Sequence, residues 1–142
     1  MNPFLNLVAG ERYLFKASRN RSFIANFVIK HSNCLIVELH SDEHYRRAQS
    51  QHSYPQADIL DAFPLSELVQ GRRYRFWYSE KVNDENQPNV GAEYYRKSHE
   101  GIFVELTDPR ETLIIDTREN PEHMRIGTLC SPLIKFNQIE KL

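Results

Sequence analysis

Three histidines and two carboxylates stand close together in the segment HSDEHYRRAQSQH, at His40, Asp42, Glu43, His44 and His52. Neutral imidazoles and carboxylates are zinc ligands, so this segment contains the residue types of a metal site. It has neither the H-E-x-x-H order nor a Cys-x-x-Cys pair, and a solvated loop is the ordinary alternative. We therefore assign no metal, and the sequence leaves open whether the three histidines converge on one.

The sequence motifs of the common catalytic classes are absent. The chain contains no G-x-S-x-G nucleophile turn and neither of the glycine-rich phosphate-binding patterns. Paired acids such as Asp58 and Asp61 lie near predicted loops, where exposed charge is their ordinary role. We predict that the protein is not an enzyme, and we assign no catalytic residue and no cofactor. A carboxylate site assembled from distant positions stays the open alternative.

Basic and aromatic residues of the second half form the candidate binding surface. Strand alternation places Arg73, Arg75 and Trp77 on one outward face. The alignment of the two halves described below adds Tyr95 and Lys97 to that face. Such residues anchor protein partners, and exposed rings stack nucleic-acid bases for about 1 to 3 kcal/mol each. A protein partner is the leading prediction and nucleic acid the alternative, unless Trp77 packs against the first half and the face is an internal interface.

The long loop predicted from Ser79 to Asn89 adjoins this surface. It differs most between the two halves, and loops on a rigid scaffold often carry recognition. A tolerated insertion is the alternative. A cage of aromatic rings for a methylated side chain would combine Trp77 and Tyr95 with Tyr78 and Tyr94, but the alternation points Tyr78 and Tyr94 inward. We therefore favour a protein-binding or scaffold module over a cage.

The charge balance and the cysteines limit the partners and the compartment. Eighteen basic and nineteen acidic side chains give a net charge of −1, so no overall field attracts the chain to DNA or to an anionic membrane. Cys34 and Cys130 lie in apolar stretches, where a free thiol behaves as a small hydrophobe. The N-terminal residues lack a basic n-region and Asn6 breaks their apolar run, so we expect no signal peptide here and no membrane span in the chain. We predict a soluble intracellular protein in a reducing compartment.

The segments that position these residues occur as two similar copies in the sequence. LVAGERYLF begins at Leu7 and LVQGRRYRF begins at Leu68. A second match aligns KHSNCLIVEL with KSHEGIFVEL, which pairs Val28 with Tyr95. Self-similarity of this kind indicates an internal duplication, with units at residues 2–63 and 64–142.

Each unit has the apolar period of two that is typical of β-strands. Tyr13 and Phe15 are predicted inward, with Leu14 and Lys16 outward, and the segment FIANFVI continues the inward face to Ile29. About five short strands are predicted per unit, and strands this short usually close on themselves to remove exposed edges. The sequence therefore predicts an all-β protein of two small barrels.

The strand count and the G-x-R-Y-x-F segment that leads each unit resemble the SH3-like small barrels, a group that includes Tudor, KOW and Sm-type modules. An OB-type barrel is the structural alternative. The chain also resembles proteins of large DNA viruses that contain duplicated small barrels. These resemblances imply two tandem SH3-like barrels in an all-β fold, and they add no catalytic residue.

Overall fold

The computed structural model describes residues 7–19, 21–42, 51–82, 93–107, 111–117 and 128–142. They form two five-stranded antiparallel sheets, so the predicted all-β class is confirmed. The first sheet contains β1 (Arg12–Ala17), β2 (Arg21–His31), β3 (Cys34–Asp42), β4 (Gln51–Pro55) and β5 (Ile59–Pro64). The second contains β6 (Arg73–Val82), β7 (Glu93–Thr107), β8 (Thr112–Asp116), β9 (Thr128–Pro132) and β10 (Gln138–Lys141). Within these described ranges neither sheet closes into a barrel: β4 and β5 are the edges of the first, and β9 and β10 are the edges of the second.

The two sheets have the same strand order, in which the fifth strand of each half lies beside its first. A 3₁₀ turn joins the fourth and fifth strands of both halves, at Gln56–Asp58 and Leu133–Lys135. The N–H of Gln56 donates to the Asn33 carbonyl at 2.7 Å, and the N–H of Leu133 donates to the Glu111 carbonyl at 2.9 Å. Gln56 is thus equivalent to Leu133, and Asn33 to Glu111.

The glycines of the repeated phrase make the same bend in both halves. Gly10 and Gly71 each have φ +87°, a left-handed conformation that glycine adopts without steric cost. The N–H of Gly10 donates to the Phe27 carbonyl at 2.7 Å, and that of Gly71 donates to the Phe103 carbonyl at 3.0 Å. Phe27 is therefore the counterpart of Phe103.

The tyrosines of the repeated phrase hold this bend in place. The Tyr13 hydroxyl accepts a hydrogen bond from the Val8 N–H at 2.8 Å, and the Tyr74 hydroxyl accepts one from the Val69 N–H at 2.7 Å. Both rings are buried, and burial is the main cause that raises the pKa of Tyr13 above its ordinary value. A buried tyrosine needs a partner for its hydroxyl, which explains why glycine and tyrosine recur together.

The second match of the sequence alignment is wrong in register. Because Phe27 corresponds to Phe103, the residue matched to Val28 lies beyond Phe103 and is not Tyr95. The segment CLIVEL begins β3, and its counterpart is TLIID of β8, whereas GIFVEL belongs to β7. Short apolar runs of strands resemble one another, and β7 is four residues longer than β2, with 15 against 11. The sequence match therefore joined non-equivalent strands.

Two apolar cores lie on either side of the first sheet. The core of the first half contains the inward residues of its own strands, among them Tyr13, Phe15, Phe23 and Val37. The second core contains Tyr74, Phe76, Phe103, Leu113, Ile115, Leu133, Ile134, Phe136 and Ile139 of the second half. Leu14 and Ile24 of the first sheet belong to this second core, so the two halves share it.

The predicted outward position of Leu14, away from the core of its own half, is confirmed, but this position is not at the surface. The residue lies on the face opposite Tyr13, as alternation requires, but the second half covers that face and leaves Leu14 only 3% exposed. Ile24, directly opposite Leu14 across the β1–β2 pair, is 0% exposed. The first sheet is thus buried on both faces at its centre. The predicted division at residues 2–63 and 64–142 stays a prediction.

The inward face of β2 ends earlier than the sequence predicts. Phe23 and Phe27 are buried, but Ile29 is 54% exposed. The register of β2 against β3 shifts between Phe27 and Ile29, and such a bulge turns the following side chains to the other face. The predicted inward position of Ile29 is therefore wrong.

No helix among the described residues is long and apolar enough to cross a membrane. Both cysteines are free; Cys34 is half-buried, whereas Cys130 is exposed. Cys130 lies in an edge strand, β9, so the prediction that it sits as a small hydrophobe does not hold.

Candidate functional site

The histidines of the first half do not assemble a metal site in the described residues. The His40 Nε2 atom lies 3.1 Å from the Glu111 Oε1 atom, and His52 is in β4, opposite Val37 of β3. The predicted third member, His44, lies outside the described residues. Within those residues, no group of three or more histidine, cysteine or acidic side chains is placed to hold a metal ion.

The structure brings three of the predicted site residues together. Arg73, Arg75 and Trp77 alternate along β6 with the buried Tyr74 and Phe76, so they share the face of the second sheet that points away from the shared core. Across the strand pairs, Ser98, Glu100 and Ile102 of β7 and Gln138 and Glu140 of β10 lie on the same face. We call this surface the Arg–Trp face.

Tyr95 and Lys97 lie on the opposite face, which corrects the sequence prediction. Tyr95 pairs with Glu80, and Lys97 pairs with Tyr78, on the side of the sheet that carries the core. The predicted alignment of β7 was displaced by an odd number of residues. Because strand side chains alternate, an odd displacement exchanges the two faces.

Arg96 is the residue that the sequence alignment missed. Its guanidinium carbon lies 4.0 Å from the centroid of the Trp77 ring, and its Nη2 atom donates to the Gln138 amide oxygen. The guanidinium carbon of Arg75 lies 5.7 Å from the centroid of the same ring. The pairing of Gly101 with Tyr74 sets this register, so correct alignment of Gly101 with Ala25 would have identified Arg96.

Ion pairs neutralise one end of the Arg–Trp face. Arg75 contacts Glu100 at 3.3 Å and Glu140 at 3.2 Å, and Arg73 contacts Glu100 at 3.6 Å. The side chains are about one third exposed or more, so each pair contributes little to stability. The charges are nevertheless arranged as a row across β10, β6 and β7. Arg96, in contrast, makes no contact with a carboxylate among the described residues.

The opposite face of the β6–β7 pair carries a different set of groups. Lys97 Nζ lies 2.5 Å from Glu80, and this hydrogen bond, with the charge of Lys97, lowers the pKa of the Glu80 carboxyl. Tyr95 is 54% exposed, whereas Tyr78 stacks on His99 at 4.9 Å. Trp77 and Tyr78 point to opposite faces, as predicted, so these rings form no common cage.

The loop predicted from Ser79 to Asn89 is only partly within the described residues. Its first residues, Ser79 to Val82, extend β6, and they pair with residues 93–96 of β7. Residues 83–92 lie outside the described part of the chain. The hairpin therefore continues past Trp77, which is the last β6 residue paired with β10.

The face of the first sheet equivalent to the Arg–Trp face is an interface. Arg12 Nη1 donates to the Glu111 carboxylate at 2.6 Å, and the Ser22 hydroxyl donates to the Ile134 carbonyl at 2.5 Å. Glu111 is only 5% exposed. Together with Leu14, these contacts attach the second half to this face of the first sheet.

Comparisons with protein-family models, with curated proteins and with solved structures found no significant match to the chain. The geometry of the Arg–Trp face is therefore the basis for the functional argument. Among its described residues on β6, β7 and β10, this face carries one half-buried indole ring, three arginines and two carboxylates. These groups are suited to noncovalent recognition.

Proposed function

We propose that the protein is a non-enzymatic protein-binding or scaffold module whose partner docks on the Arg–Trp face. The supporting observation is Trp77, a half-buried indole between two guanidinium groups on a sheet surface that the rest of the described chain does not cover. Tryptophan and arginine are the residues that most often dominate protein interfaces. Tyr95 and Lys97 are not part of this surface, because they lie on the opposite face.

The mixed charge of the face supports a protein partner. Glu100 and Glu140 lie beside Arg75, and two carboxylates in the path of a phosphate backbone would repel it. Nucleic-acid affinity comes mostly from cations that neutralise phosphates and release counterions. Nucleic acid is the second candidate function, favoured by one observation: the Arg96 guanidinium on the Trp77 ring resembles the stacked pairs that hold single strands.

Selection of peptides from a random phage-displayed library tests the proposal. The wild-type chain is the target, and the folded Trp77→Ala variant is the counter-target. A Tyr95→Ala variant is the matched control, because it removes an exposed ring from the opposite face of the same hairpin. We expect peptides that bind the wild type and Tyr95→Ala but not Trp77→Ala. Peptides that bind all three proteins equally, or no enriched peptides, would remove the proposal.

We also propose that the two halves arose by internal duplication and are SH3-like units. The common strand order, the 3₁₀ turn before each fifth strand and the two bends at φ +87° support a common origin. Five short strands in each half is the strand count of SH3-like barrels. The free thiols of Cys34 and Cys130 support a reducing compartment.

A further inference from the structure

The interface between the two halves shows how the equivalent face of the second sheet can be used. Ser22 is opposite Lys16, and Ser98 is opposite Trp77, so Ser98 is the counterpart of Ser22. Arg73 is likewise the counterpart of Arg12. The Arg–Trp face thus repeats the arginine and the serine that bind Glu111 and the Ile134 carbonyl in the first half.

The apolar centre of that interface is not repeated. Leu14 and Ile24 are buried in the shared core, and their counterparts are Arg75 and Glu100, which form an ion pair. A partner on the Arg–Trp face therefore meets a polar centre with the ring of Trp77 beside it. This favours recognition through charge and a flat ring over burial of aliphatic side chains.

A second copy of the chain is a poor occupant for this face. In the internal interface, the second half presents Leu133 and Ile134 of its 3₁₀ turn, 0% and 5% exposed. The first half of another copy would present the counterparts, Gln56 and Ala57. The side chain that would meet Arg73 is Asn33 in place of Glu111. Polar ends of this kind terminate a stack of repeats.

We propose that the Arg–Trp face binds an acidic segment of another protein and that a carboxylate of this segment binds Arg96 beside Trp77. This proposal rests on the proposed protein-binding function. In the first half, the arginine of this face is already satisfied by a carboxylate of the second half, Glu111. Among the described residues, Arg96 contacts the Gln138 amide and the Trp77 ring but no carboxylate.

The chemistry of the guanidinium supports this partner. A guanidinium has five N–H donors in a planar fork that matches a carboxylate, and Gln138 accepts from only one of the two terminal nitrogens of Arg96. The indole ring holds the cation in position by a cation–π contact. The carboxylates Glu100 and Glu140 lie at Arg75, so a peptide that places its acid at the Arg96 end does not have to cross them.

Trp77 is the single tryptophan of the chain, and its fluorescence reports directly on this face. The probes are a peptide of alternating Glu and Ser and its copy with Gln at every Glu position. We expect a saturable change of Trp77 emission when the Glu peptide is added, and no change when the Gln peptide is added. Arg96→Gln should weaken that binding about tenfold or more, since it removes a charge-assisted hydrogen bond. Lys97→Gln, which removes the same charge from the opposite face, should leave the affinity unchanged.

Several results would overturn this inference, and they separate it from the proposed function. Equal binding of the Glu and Gln peptides, or equal binding by wild type and Arg96→Gln, would show that the acid is not recognised. Trp77-dependent phage peptides without acidic enrichment would keep protein binding and remove the acidic partner. An oligothymidine that binds more tightly than the Glu peptide, with a steep salt dependence, would favour nucleic acid. A dimer in sedimentation that is lost in Trp77→Ala would identify a second copy as the occupant.

Discussion

Replacement of Leu14 by alanine tests whether the two halves of this protein share one core. Leu14 is 3% exposed and packs with the buried residues of the second half. Deletion of a buried leucine side chain costs about 2 to 5 kcal/mol, through lost transfer energy and the cavity that remains. Because Ile24 and the second half surround the site, we expect a loss of about 3 kcal/mol. For a chain of this size, that loss lowers the melting temperature by roughly 10 °C.

Arg75→Ala is the matched control, since Arg75 occupies the equivalent position in the second sheet. Its side chain is 34% exposed, and its ion pairs with Glu100 and Glu140 are at the surface. Surface pairs contribute about 0 to 1 kcal/mol, so the control should change the free energy of unfolding by less than about 1 kcal/mol. The two substitutions at equivalent positions should therefore differ by about 2 kcal/mol or more.

Unfolding in urea, followed by two probes, provides the decisive assay. Far-ultraviolet circular dichroism reports on both sheets, whereas the emission of Trp77 reports on the second. If the halves share a core, both transitions should coincide and shift together in Leu14→Ala, with an unchanged m-value. A Trp77 transition that stays at the wild-type urea concentration would refute the shared core. The shared core would also be refuted if Leu14→Ala lowered the free energy of unfolding by no more than Arg75→Ala does.

Three further substitutions test the local interactions. Glu111→Gln removes the charge that Arg12 contacts at 2.6 Å and should lower the free energy of unfolding in urea by about 1.5 kcal/mol; no loss would show that this contact does not hold the halves. Gly71→Ala should cost about 1 to 2 kcal/mol in thermal unfolding, because no atom lies within 4 Å of the added carbon but φ is +87°, and Gly71→Asn should recover part of the loss. Lys97→Gln should return the lowered pKa of Glu80 to its ordinary range in a carboxyl NMR titration. The stabilisation from that pair is present above the ordinary pKa of glutamate and is lost as pH falls through the lowered value, so a Glu80 titration that is identical in both proteins would contradict the pairing.

The candidate site was only partly predictable from the sequence. The faces of the β6 residues follow from local alternation, whereas those of the β7 residues depend on how β7 pairs with β6. Arg73, Arg75 and Trp77 follow shortly after the bend at Gly71, which repeats the bend at Gly10, so local alternation was enough to place them on one face. Arg96 lies beyond an insertion, and its face depends on which residue of β7 pairs with β6. That pairing is set by tertiary contacts, since Phe103 meets the bend and Gly101 meets Tyr74.

One sequence signal for the shared core was present. The segment SFIANFVI in β2 is almost continuously apolar, and its residues 22–25 are all buried. A strand buried on both faces has such a composition, whereas a strand with one solvated face alternates. The counterpart in β7, SHEGIFVE, begins with three polar residues and ends in a glutamate. This contrast indicates that the first sheet, and not the second, lies in the middle of the molecule.

The sequence by itself determined the all-β class, the inward positions of Tyr13, Phe15, Tyr74 and Phe76, and the glycine bends that open each half. These features depend on side-chain alternation and backbone sterics, which act between neighbouring residues. Only the tertiary structure decided that Leu14 is buried while Arg75 meets solvent, and that Arg96 replaces Tyr95 and Lys97 beside Trp77. The physical reason is that alternation divides a strand into two faces but does not specify what covers either face, and a shift by one residue in strand pairing exchanges them.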